Sequence, residues 1–230
     1  MTAEGSAPAS KVPAAGYRRL TTPRAAALAG VIFALLFGAV LVLIRTKMPE
    51  APGSSVQWLA SRRSGLTAAT ALMPFAGISF LWFIGVIRDA LGSFEDRFFS
   101  TVFFGSGLLF LAMMFVSTSV LSGLLARTGA VGDVAAHTEI IDLGRVVILS
   151  ASKAYATRMA AVFMASLATI WLRTGLMPRW LVGLSYLAAI ALLIASDVSM
   201  WVTMAFPLWV LVVSGLILAR AGLFEQLRDR

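Results

Sequence analysis

The chain has 230 residues, 59% hydrophobic and 13% charged, with a formal net charge of +8 and a mean hydropathy of +0.88. Soluble domains carry about 45–50% apolar and about 25% charged residues, so an ordinary soluble domain is excluded. No cysteine and a single histidine, His137, are present, which excludes disulfides, thiolate nucleophiles, iron–sulfur clusters and a histidine-rich metal site from this chain alone.

Met1–Gly16 is rich in Ala, Pro, Ser and Gly without apolar periodicity, and predicts a disordered tail over 1–16. Residues 17–230 then predict one all-α domain, a polytopic transmembrane bundle of six spans. Their expected bounds are about 25–44, 66–87, 98–126, 153–173, 180–196 and 198–219, since about 20 apolar residues cross about 30 Å of hydrocarbon. Tyr17, Arg18, Arg19 and Arg24 anchor the first span. Its apolar run is too long for a signal-peptide core and no small-x-small cleavage site follows, so an uncleaved span is expected. Ala26, Gly30, Ala34 and Gly38 lie four apart, which puts small residues on one face for close helix packing inside the bundle. The connection Arg45–Arg63 holds Pro49, Pro52 and Gly53, then Val56, Trp58 and Leu59 near Arg62 and Arg63. This suits a short segment at the headgroups. Pro74 falls near the middle of span 2 and Pro207 near the middle of span 6. Paired breaks in an inverted repeat would match span 2 with span 5, so ordinary proline kinks are expected.

The loop between spans 2 and 3 carries Arg88, Asp89, Glu95, Asp96 and Arg97, a candidate cytoplasmic contact. Its acids precede the aromatic entry Phe98, Phe99, Phe103 and Phe104, where negative charge complements a helix dipole. The block FLWFIGVIRDALGSFEDRFFSTVFFGSGLLFLAMMF, Phe80–Phe115, resembles a segment of an uncharacterised family of bacterial multi-span integral membrane proteins. The arginine-acid loop and GSGLLF are the most specific parts. The resemblance implies a bacterial inner-membrane location and brings no activity with it.

Span 4 is the exception. Helical periodicity runs from Val134 to Leu172, about 58 Å at about 1.5 Å per residue and about twice the hydrocarbon thickness. Its N-terminal part is therefore expected to project into water, to lie on the membrane surface, or to bend at Gly144. At 100° per residue, with Arg145 at the origin, Asp142, Lys153 and Glu139 fall at about 60°, 80° and 120°. Glu139, Asp142, Arg145 and Lys153 thus share a stripe, and Asp142 and Arg145 are spaced for an i,i+3 pair. Arg158 falls off the stripe and inside the span, where a charge is costly unless it snorkels. With the stripe it forms a candidate polar cleft.

With both termini cytoplasmic, the dense group Lys11, Arg18, Arg19 and Arg24 lies inside, as the positive-inside rule asks. Asp197 then caps span 6 on the outer side. No P-loop, GxGxxG, HExxH or GxSxG motif occurs, although Ser150, Ser152 and Lys153 are close enough for serine–lysine chemistry. No cofactor or metal is called for. The expected partners are the lipid bilayer, other membrane proteins or a lipidic ligand, and not nucleic acid, because basic residues flanking spans face anionic headgroups. The leading expectation is a structural, accessory or amphiphile-binding membrane component. The alternative is a small transporter or channel using the cleft beside span 4, and the third an intramembrane enzyme.

Because the chain lacks cysteine, single cysteines from position 134 to 173 give a clean accessibility scan. If the stripe is the solvated face of an interfacial helix, aqueous maleimide labels positions before Lys153 and none beyond it. Periodic labelling deep into the span is the outcome that identifies a cleft.

Overall fold

A computed structural model describes residues 23–48, 62–91, 97–127, 134–195 and 200–228. Every element among them is helical and none is a strand. In chain order these are α1 (Pro23–Lys47), α2 (Arg63–Leu91), α3 (Arg97–Arg127), α4 (Val134–Leu149), a π-helical segment (Ser150–Ala156), α5 (Thr157–Thr174), α6 (Arg179–Ala195), a 3₁₀ turn (Met200–Met204) and α7 (Ala205–Arg228). Five helical stretches are long and apolar enough to cross a membrane: Ala27–Lys47, Arg63–Arg88, Phe98–Ala126, Thr138–Thr174 and Trp201–Ala219. Arg179–Ala195 is equally apolar but has only 17 residues. The expectations for the N-terminal tail, for Val56, Trp58 and Leu59, and for Asp197 lie outside the described residues.

The helices form two rows. In one, α1 packs between α2 and α7; in the other, α5 packs between α3 and α6; α2 against α3 joins them. Phenylalanine fills the space between the rows. Phe80 of α2 lies 4.6 Å (ring centroids) from Phe33 of α1, 5.3 Å from Phe110 of α3, 5.4 Å from Phe163 of α5 and 5.8 Å from Phe206 of α7. Five helices therefore meet at one ring. Phe33, Phe37, Phe80, Phe103, Phe163 and Phe206 are all fully or almost fully buried. Most of these pairs are edge-on or tilted, the arrangement the ring quadrupole favours, worth about 0.5–1.5 kcal/mol per pair beyond area burial. Large apolar side chains also cover the outside: Leu35, Trp82, Leu109, Leu187, Ile194 and Leu208 are exposed on five different helices. An apolar exterior this extensive marks a surface meant for lipid or partner rather than water.

Hydroxyl and indole groups add interhelical ties. The Trp209 indole N–H donates to Ser185 Oγ at 2.7 Å, linking α7 to α6, and Thr169 pairs with the Tyr186 hydroxyl at 2.7 Å, linking α5 to α6. Such bonds average about 0.6 kcal/mol in a membrane protein. The backbone ends follow local chemistry. Gly175 takes φ of 67°, and its N–H closes α5 on the Trp171 carbonyl at 2.9 Å, a left-handed cap that glycine adopts without a steric penalty.

Pro207 departs from the expectation of a mid-span kink. The preceding residues form the 3₁₀ turn, so Pro207 is the third residue of α7. In a first turn the missing N–H is no loss, because that donor has no intrahelical partner. Pro74 does stand inside α2 and is exposed. Gly144 lies within α4 and packs on Leu124, so the helical irregularity of this region falls at Ser150–Ala156 instead.

The small face of α1 is used inside the bundle at Gly30. A Cβ there would fall on the Ser214 hydroxyl and 2.7 Å from the Phe83 ring. Gly38, on the same face, has nothing within 4 Å of that position. Gly30→Ala is expected to lower unfolding free energy by about 1–3 kcal/mol through overpacking. Gly38→Ala should be neutral or stabilising by up to about 1 kcal/mol through helix propensity. Unfolding curves in mixed micelles, with wild type alongside, check the contrast.

Candidate functional site

The π segment Ser150–Ala156, sequence SASKAYA, interrupts the helix that runs from α4 into α5. A π turn bonds i to i+5, so its ladder does not match that of the flanking α-helices, and carbonyls at the joins need other donors. Side chains of this segment and its neighbours supply them. Ser152 Oγ donates to the Ile148 carbonyl at 2.6 Å, and Ser117 Oγ of α3 reaches the same carbonyl at 3.1 Å. Thr157 Oγ1 donates to the Ser152 carbonyl at 3.1 Å. Arg158 Nη1 donates to the Ala154 carbonyl at 3.1 Å, which also accepts from the Thr157 N–H. Serine, threonine and arginine thus hold the wide turn together in surroundings where an unsatisfied carbonyl costs several kcal/mol.

The residues of the expected cleft take different surroundings. Ile141, Gly144, Arg145 and Ile148 are buried and recur at helical spacing, so they form the inward face of α4. Arg145 is 4% exposed, and its Nε lies 3.6 Å from Asp142 Oδ1. The i,i+3 spacing is realised as an ion pair, with the Asp142 side chain 41% exposed. Glu139 is exposed on the other side, beside the outward apolar residues Ile140 and Leu143. Lys153 and Arg158 are half-buried on the π segment and just after it. The 100° projection put Lys153 on one stripe with Asp142 and Arg145, but π residues advance less per step than α residues, so phases on the two sides of Ser150 are not comparable.

In the loop contact, Arg88 is exposed with its guanidinium 5.0 Å from the centroid of Phe104. Glu95 and Asp96 lie outside the described residues, as do the side chains of Asp89 and Arg97. Among the described residues no three His, Asp or Glu side chains gather as a metal site.

Two contacts missed by the sequence reading bring α1 and the entry of α7 to the π segment. Arg45, in the last turn of α1, donates through Nη2 to Thr203 Oγ1. Thr203 in turn lines a small cavity of about 10 Å³ together with Ser152, Thr157, Phe37, Phe110 and Phe206. Ser152, Thr157 and Thr203, from two chain segments 46 and more residues apart, therefore border one space together with the phenylalanines. The sequence signal was the hydroxyl-rich stretch Ser150–Thr157, but nothing in it pointed to Thr203 or Arg45.

No protein-family model, curated protein or solved structure matches the chain. The site therefore rests on its own geometry. Thr157→Val removes the donor to the Ser152 carbonyl at nearly constant volume and is expected to cost about 1–3 kcal/mol. Thr169→Val, which removes a tie to Tyr186 but leaves the π turn intact, should cost less, near the membrane average of about 0.6 kcal/mol. Paired unfolding titrations of the two variants measure the difference.

Proposed function

We propose that this chain is a six-span bacterial inner-membrane protein, with both termini cytoplasmic, serving as a structural or accessory component that contacts lipid and other membrane proteins. The observation that carries the reading is the closed phenylalanine centre joining five helices, beside which the cavity at the π segment measures about 10 Å³. A transport path needs polar groups converging on a space that holds a solute. Here the two prolines do not converge, with Pro74 exposed on α2 and Pro207 buried in the first turn of α7. Glu139 and Arg145 turn to different sides of α4.

The fifth span is α6, short but strongly apolar. The fourth runs from Lys153 to Arg173, twenty residue steps or about 30 Å, matching the hydrocarbon core. Arg173 lies over the Phe99 ring at 4.7 Å, at the cytoplasmic end of α3 in this topology. Lys153 and Arg158 stand near the opposite interface, where long basic side chains snorkel. On this placement α4 extends past the hydrocarbon alongside the last turns of α3. The resemblance of Phe80–Phe115 to bacterial multi-span proteins supports the inner-membrane location.

The alternative, a small transporter or channel, draws support from the π segment itself, since π turns recur at functional hinges. Reconstitution separates the two. Proteoliposomes loaded with pH-, potassium- and chloride-sensitive dyes are expected to leak no faster than protein-free vesicles of the same lipid. Flux that rises with protein content and disappears in Arg158→Leu would overturn the accessory reading in favour of transport.

A further inference from the structure

We propose that the cavity beside the π segment is a binding site for a single ordered water molecule, which donates its two protons to Ser152 Oγ and Thr157 Oγ1 and thereby ties together the two hydroxyls that hold the π turn. Size sets the first limit. About 10 Å³ is the room of one water. Proton accounting sets the second. The Ser152 hydroxyl proton is committed to the Ile148 carbonyl, and that of Thr157 to the Ser152 carbonyl. A hydroxyl has one donor and two acceptor sites, so these oxygens offer the cavity lone pairs only.

The occupant must therefore donate. At these two oxygens a halide or other anion would meet only lone pairs, so they cannot hold one. A bare metal cation is disfavoured by two features. It needs about six or more oxygen ligands, whereas the hydroxyl wall is shared with Phe37, Phe110 and Phe206. The Arg45 guanidinium, bonded to Thr203 Oγ1 on the same wall, also adds positive charge. Water meets both requirements, as a small neutral molecule with two protons to give. Ordered waters are among the means by which membrane helices satisfy irregular backbone. Here the water would act one bond further out, on the hydroxyls that hold the π carbonyls.

A crystal structure from lipidic mesophase, at a resolution that shows ordered solvent, tests this directly. The expected result is one density peak within hydrogen-bonding distance of Ser152 Oγ and Thr157 Oγ1, absent in the Ser152→Ala/Thr157→Val double variant. An empty wild-type cavity, or a peak with the short distances and high coordination of a metal ion, overturns the proposal. Water-to-methyl cross-relaxation in bicelles gives a second readout on the wild-type protein. The methyl of Ala160, which lines the cavity and has no exchangeable proton, should show a bound-water cross-peak, whereas the buried methyl of Ala168 should show none. Loss of the Ala160 peak in the double variant is expected. Its absence in wild type, or its persistence at full intensity in the variant, counts against the site.

Discussion

The ring of Phe80 is the point on which the bundle closes. In lipid no hydrophobic force drives one apolar helix against another, because the tails are as apolar as the side chains. Association has to come from dispersion, shape and a few polar ties. Phe80 contacts rings from α1, α3, α5 and α7, so one side chain of α2 holds four other helices in register. The approach needs room, and glycine provides it where rings crowd the backbone. A Cβ at Gly107 would lie 2.7 Å from Ile84 and 3.0 Å from the Phe163 ring. Ring and glycine are complementary parts of one contact, which is why the same helix faces carry both.

This arrangement explains why the fourth span looked deficient in the sequence. Spans bordering lipid must be apolar on their outer faces, and α1, α2, α3 and α7 were legible for that reason. α5 stands between α3 and α6 and has few lipid-facing positions. Ala160, Ala161, Ser166 and Ala168 are buried there, small residues that permit close approach rather than advertise hydrophobicity. A hydropathy reading undervalues such a helix because it measures fitness for lipid, which α5 does not meet. The Asp142–Arg145 pairing was legible from spacing alone. The split of the charged stripe was not, because the projection assumed an unbroken α period through Ser150–Ala156. No residue there announces a π turn: SASKAYA is compatible with either helix, and the segment packs against α3, distant in sequence, whose Ser117 donates to the Ile148 carbonyl.

The π segment also changes what the polar residues mean. In the sequence Arg158 belongs to the candidate cleft and Ser152 stands out only for its closeness to Lys153. In the folded chain Ser117, Ser152, Thr157 and Arg158 each donate to a backbone carbonyl at or beside the wide turn. Their chemistry is turned toward the backbone. These polar groups therefore serve the architecture of the chain itself.

The brevity of α6 reaches beyond the protein. Seventeen residues at about 1.5 Å give about 26 Å, a few ångströms less than a typical hydrocarbon core. Its neighbours α5 and α7 hold it through Tyr186 and Ser185, so it is not free to shift along the bundle axis to share the deficit. As the proposed fifth span, α6 would require the lipid beside it to thin on that flank. A one-sided dent in the bilayer costs fractions of a kcal/mol per ångström of mismatch, and the cost falls when two such flanks adjoin. On that placement α6 would give the bundle a preference for thin membranes, and a lipid-mediated attraction toward other proteins that pinch the bilayer in the same way.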